Sequence, residues 1–165
     1  MSSSPKGWSM WITERLTSSS RLSLSDMALS GLSLILVVVT SLVVRGLPFA
    51  RWYPPFERFV HRPRRLRRRS FSCRESVRIA RAVARVARRF PSYRCLSCAV
   101  AGAVLYRVCG YAPQFRIGVR IDARSGLMAH AWVVVDGRTC VGDLPDLAGY
   151  RSLRLSGVMS PGWRT

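Results

Sequence analysis

Met128-Ala-His-Ala-Trp-Val-Val-Val-Asp-Gly-Arg-Thr-Cys-Val141 is the stretch whose reading decides the fold. Two apolar runs flank Asp136-Gly137, and an Asp-Gly pair between such runs is a strong signal for a two-residue β-hairpin. With that loop, Val135 faces Arg138, and counting back His130 faces Asp143. Residues directly opposite on one sheet face have Cβ atoms roughly 5 Å apart, close enough for a carboxylate to hold an imidazole. Asp136, at the turn, lies about 20 Å along the strand from His130 at roughly 3.3 Å per residue.

Upstream, Phe115, Ile117, Val119 and Ile121 alternate with Arg116, Gly118 and Arg120, the period of a half-buried strand. Residues 122–126 read as a turn. Before Pro113 the period is helical. Ile79, Val83, Val86 and Phe90 form the apolar stripe of a helix over residues 75–90, with Arg78, Arg81, Arg85 and Arg88 on another face. Pro91 ends it. A second, strongly apolar helix opens near residues 93–95 and runs to Val108, with Gly110 as its stop. Helices followed by an antiparallel sheet make an α+β fold.

The N-terminal third has a different character. Residues 1–26 are rich in serine and read as a disordered tail, with Met27 an alternative start. Residues 27–44 are uncharged, at the lower edge of the length that crosses a bilayer, and serve equally as a buried or partner-covered helix. No small-x-small cleavage site of a signal peptide follows. Residues 47–63 hold four prolines and read as a linker with aromatic anchors. The basic cluster ends at Arg69. The expected layout is a tail over residues 1–26, an apolar helix and basic linker over 27–70, a core over 71–155 and a second tail over 156–165.

The 165 residues carry 27 basic and 8 acidic side chains, a net charge of +19. That balance suits an anionic partner, such as a phospholipid surface, an acidic peptide or nucleic acid. The basic cluster has no interleaved aromatic platform and the chain no helix-turn-helix or zinc-finger pattern, so no nucleic acid is expected. An arginine-rich solvated surface accounts for the charge as well. Five cysteines, an odd number without a secretory signal, argue against a disulfide framework and for a reducing compartment.

Cys95 falls at the start of the apolar helix, where the helix dipole and free N–H groups favour a thiolate, and Arg94 adds positive charge. A cysteine, a histidine and an orienting acid (Cys95, His130, Asp143) are the parts of a cysteine nucleophile site. The N–H of Cys95 is a natural oxyanion donor. Two rivals use some of the same atoms. Cys95-Leu-Ser-Cys98 is a C-x-x-C pair, but a redox site of that kind wants a strand leading into it. Cys95, Cys98, His130 and Cys140 are a zinc set with only one familiar spacing. No cofactor and no metal is expected, and no Gly-rich phosphate loop occurs.

Three blocks carry a resemblance: Tyr-Arg-Cys95-Leu-Ser-Cys-Ala-Val-Ala-Gly-Ala-Val-Leu, Phe115-Arg-Ile-Gly-Val-Arg and Ala129-His-Ala-Trp-Val-Val-Val-Asp-Gly. Together, over roughly residues 32–153, the chain resembles the leader peptidases of lasso peptide biosynthesis, in the transglutaminase-like cysteine protease superfamily. The resemblance implies a transglutaminase/papain-like α+β fold, helices packed on a small antiparallel sheet. It implies a Cys-His-Asp triad that cuts the leader from a ribosomally made precursor peptide, with Cys95 as nucleophile, His130 as base and Asp143 carried over as the acid. Cys98 stands where the family carries a basic or polar residue. Residues 1–60 leave no room for a fused winged-helix module. The resemblance therefore implies a stand-alone peptidase, cytoplasmic and with membrane attachment through residues 27–44 left open. Its implied partners are the precursor, a separate leader-recognition protein and an asparagine-synthetase-like cyclase that closes the macrolactam. The contrasting class is a basic membrane-associated or nucleic-acid-binding protein without catalysis.

Overall fold

The computed structural model describes residues 24–61, 73–89, 95–123 and 126–153. The serine-rich tail up to residue 23, the Arg62–Arg69 cluster, Phe90, Pro91, Arg94 and the second tail lie outside these residues. In chain order the elements are α1 (Leu24–Gly46), α2 (Phe49–His61), α3 (Cys73–Arg89), α4 (Cys95–Val108), β1 (Pro113–Asp122), β2 (Gly126–Val135), β3 (Arg138–Val141), a single 3-10 turn (Leu147–Gly149) and β4 (Arg151–Ser152). The strands form one antiparallel sheet in the order β3-β2-β1-β4.

α4 is the hub. It packs on α1, α3 and the sheet, and nearly every residue from Ser97 to Arg107 is buried. The main core joins Val37 of α1, Val60 of α2, Ile79 and Val83 of α3, Leu105 and Tyr106 of α4, and Ala131, Val133 and Val135 of β2. Those β2 residues line the helix-facing side of the sheet. On the opposite side Trp132 and Val134 close a smaller cluster with Tyr150, Leu144 and Leu147. From His130 to Val135, β2 is therefore buried on both faces.

Two expectations change here. Residues 49–61 are a helix, not a linker. Pro54 and Pro55 remove the donors that would meet the carbonyls of Ala50 and Arg51, but both of those residues are exposed to water. In exchange Trp52 and Tyr53 are buried beside Val100 of α4, with Phe56 packed against them. Burial of large aromatic surface outweighs two missing hydrogen bonds. The second change concerns the apolar N-terminal helix. It does not stand apart from a core that begins at residue 71, because Val37 is 0% exposed within that core and the Thr40 hydroxyl donates to the Ser97 carbonyl of α4 at 3.1 Å.

Candidate active site

The hairpin forms as the Asp-Gly pair requires. Asp136 and Gly137 both take positive φ, 47° and 78°, the turn whose twist matches the strands. The register does not stay in step. Val135 faces Arg138 and Val134 faces Thr139, but Val133 faces Val141, so Cys140 is an extra, bulged residue. β3 ends at Val141, and continuing the count puts residue 144 rather than Asp143 opposite His130. His130 and Asp143 therefore do not face each other as the simple count expects, and the Asp143 side chain is exposed.

What meets His130 instead is main chain. Gly142 has φ +76°, and a Cβ added there would lie 2.6 Å from the Ala131 carbonyl oxygen. Glycine alone lets the chain turn so sharply against β2. The turn aims the Gly142 carbonyl at the ring, and Nε2 of His130 donates to it at 2.7 Å. With Nε2 committed as a donor, Nδ1 is the nitrogen left for Cys95, to which the ring is hydrogen-bonded. The carbonyl thus fixes the tautomer, the task usually given to a carboxylate.

His130 is 4% exposed and packed among rings. Trp132 stacks beside it at 6.2 Å between centroids and 11° between planes, and Tyr150 tilts against it at 5.7 Å. Gly118, opposite His130 on β1, makes room for Trp132, whose ring would lie 2.7 Å from a Cβ at that position. Arg120 lies over the Tyr150 ring, with its guanidinium carbon 5.1 Å from the ring centroid. It also pairs with Asp146 at the start of the 3-10 turn, and with Asp122 at 3.8 Å. The segment from Gly142 to Tyr150 is thereby pinned to β1 and β2 around the imidazole.

Cys95 is the first residue of α4. Burial alone would raise its thiol, but the hydrogen bond to His130, the N–H of Ala131, the charge of the imidazolium and the N–H of Leu96 bring it below the ordinary value. Burial likewise works to lower His130. Its bonds to Cys95 and the Gly142 carbonyl, the thiolate charge and the charge of Asp146 raise it above the ordinary value. The two shifts have opposite sign, share the contact between thiol and ring as a cause, and both favour a thiolate–imidazolium pair. Cys98 behaves differently: burial and repulsion from Cys95 push its thiol up to about 11, which keeps it protonated and unreactive.

The structure brings Cys95 and His130 together and leaves the zinc set dispersed. The Cys140 sulfur lies against the Ser76 hydroxyl at 3.6 Å and the Arg138 carbonyl at 3.4 Å. Among the described residues no group of three His, Cys, Asp or Glu side chains is placed to hold a metal ion. Sequence reasoning missed Gly142, Tyr150 and Asp146. Only Gly142 left a signal, a glycine directly after a short strand, where a bulge or left-handed turn is common.

A family model described as the transglutaminase-like superfamily matches residues 43–155. No curated protein and no solved structure matches the chain.

Proposed function

The chain belongs to the transglutaminase-like superfamily, whose members are generally cysteine peptidases or transglutaminases. From that premise we propose that it is a cysteine peptidase that removes the leader from a ribosomally made lasso precursor peptide. The observation that carries the peptidase reading is the Cys95 thiol at the head of a buried helix, hydrogen-bonded to a His130 ring whose other nitrogen is fixed by Gly142. The lasso assignment rests on the resemblance of the Cys95, Phe115 and His130 blocks.

The reaction runs through an acyl-enzyme. The Cys95 thiolate attacks the scissile carbonyl carbon. The N–H of Cys95, first in α4 and without an intrahelical partner, stabilises the oxyanion. The C–N bond breaks as the imidazolium gives its proton to the leaving amine, leaving a thioester on Cys95. Neutral His130 then takes a proton from water, which attacks the thioester, and the carboxylate product leaves with Cys95 restored. A carboxylate of the turn after Gly142 stabilises the imidazolium: Asp143 by family correspondence, or Asp146 by its charge on His130.

The partners proposed with this activity are the precursor, a separate leader-recognition protein and an asparagine-synthetase-like macrolactam cyclase, in the cytoplasm. The test is incubation of the purified chain with precursor and leader-recognition protein, read by mass spectrometry. Release of intact leader by wild type and not by Cys95→Ala supports the proposal. A labelled Cys95 in a folded protein that leaves the precursor whole removes the lasso assignment.

A further inference from the structure

α1 is apolar on both sides: Leu29, Leu36 and Val44 pack inward on the core while a second aliphatic row faces out. Its buried residues are Ser33, Val37, Thr40 and Ser41, three of them hydroxyl-bearing. Ser33 and Thr40 satisfy their hydroxyls on carbonyls one turn back, at 2.7 and 2.8 Å, and Thr40 also donates to Ser97 of α4. The outward face carries Leu24, Met27, Leu32, Ile35, Val39 and Leu42, all exposed, with Ile35 at 61% and Leu42 at 67%. A helix on a water-facing surface carries polar side chains on its outward face instead. Small hydroxyl residues between helices, with aliphatic side chains outward, is the arrangement of helices that meet lipid.

The helix is also tied down at two points. Near its start the Arg78 guanidinium of α3 pairs with Asp26 at 2.7 Å and donates to the Ser25 hydroxyl at 2.6 Å. Toward its end Thr40 is bonded to α4. At roughly 1.5 Å per residue the ties are about 21 Å apart along the axis. By length and composition α1 is apolar enough to cross a membrane. Crossing one would pull it off α3 and α4 and expose their side of the core.

We propose that the outward face of α1 seats the protein on an anionic bilayer, with the helix lying in the membrane plane and the rest of the domain on the water side. Charge selects this occupant. Residues 27–44 are uncharged, Arg45 and Arg51 follow on exposed positions, and the whole chain is +19. Anionic headgroups complement that charge, whereas a second copy would set like against like. The stripe also lacks the Trp, Tyr and Arg anchors on which tight protein interfaces centre. The inference rests on α1 and not on the peptidase reading.

The test is flotation of the full chain with phosphatidylglycerol/phosphatidylcholine vesicles and with phosphatidylcholine vesicles alone. The variant is Ile35→Ser with Leu42→Ser, both on exposed positions. Melting temperature and mass-spectrometric labelling of Cys95 monitor the fold. Wild type is expected to float with the anionic vesicles and at least tenfold more weakly with the neutral ones. The double variant should lose at least tenfold in anionic binding with unchanged melting and labelling. Equal binding by variant and wild type would assign attachment to arginines alone and overturn the proposal. So would the absence of flotation, or a dimer in sedimentation velocity that the double variant dissociates, which would make the occupant a second copy. Floated protein that resists carbonate extraction and loses Cys95 labelling would show α1 spanning, and would overturn the in-plane placement.

Discussion

Nε2 of His130 donates to the main-chain carbonyl of Gly142, so a backbone atom holds the imidazole that faces Cys95. A side-chain amide or carboxylate can be exchanged by a single substitution. A carbonyl is altered only by moving the chain, and here Gly142 is the sole residue type that fits the turn. The pairing of thiol and ring therefore depends on backbone geometry set by the bulge at Cys140.

Gly142→Ala should damage both stability and reactivity. The added Cβ meets the Ala131 carbonyl oxygen at 2.6 Å and φ +76° is unfavourable for alanine. The expected cost is about 1–3 kcal/mol of stability, as for other strained left-handed positions. Denaturant melts should show that loss. Cys95 alkylation at neutral pH should slow with it, because a displaced carbonyl no longer presents Nδ1 to sulfur.

Cys95→Ala should abolish turnover and labelling by a thiol-directed probe, while Cys98→Ala keeps most of both. Cys98 is buried with its thiol pushed up to about 11, so it offers no thiolate at neutral pH. Equal loss in the two variants would revive a paired-cysteine role.

The pH profile follows from the opposed shifts. Cys95 is lowered and His130 is raised, so the two titrations move toward each other and the thiolate–imidazolium form is favoured over what free side chains would give. Alkylation of Cys95 should already be fast where an ordinary thiol is still protonated. Turnover should rise as the thiolate forms and fall as the imidazolium loses its proton, a bell whose limbs belong to the pair jointly. A single alkaline rise at the ordinary thiol position would rule the pair out.

Asp143→Asn and Asp146→Asn separate the two candidate acids. In a serine triad the equivalent change costs about 10⁴ through the wrong tautomer. Here the tautomer is set by Gly142, so both losses should be far smaller, on the order of tenfold or less. Asp146→Asn also removes the Arg120 pair and a charge that raises His130. It should move the alkaline limb to lower pH, which Asp143→Asn should not. A 10⁴-fold loss in Asp143→Asn would restore Asp143 as the direct partner of the ring.

A chain trimmed to begin at Pro48 should unfold rather than become a more soluble catalytic domain. It loses Val37, fully buried against α3 and α4, and the Thr40–Ser97 bond near the start of α4. Removing a packed core element of this size exceeds the few kcal/mol of net stability that small domains hold. Circular dichroism of the trimmed chain decides the point.

Much of this fold was legible because its elements have clear periods. The alternation from Phe115 to Ile121 gave β1, Asp136-Gly137 gave the hairpin, and α4 was bounded by Pro91 before it and Gly110 after it. Cys95 and His130 were legible because each sits at an element position that chemistry favours. The partner of Nε2 was not, since a one-residue bulge leaves no mark in hydrophobic alternation and shifts everything beyond Cys140. α2 was misread because two prolines outweigh aromatic packing in any local scale, whereas burial of Trp52 and Tyr53 depends on α4, distant in sequence. The sidedness of α1 was equally hidden, because a uniformly apolar run does not announce which face it buries.

β4 pairs with β1 only at Gly118 and Val119, which leaves both ends of that outer strand uncovered by it. Open strand edges are where sheets of separate molecules join into aggregates. This edge opens at Pro113, which has no N–H to offer, and carries Arg116 and Arg120 on either side of the covered pair. A second such edge would meet the exposed Arg116 in like sign, whereas Arg120 is already paired with Asp122 and Asp146. Pro113 and Arg116 thus blunt one end of this edge against pairing with the sheet of another molecule.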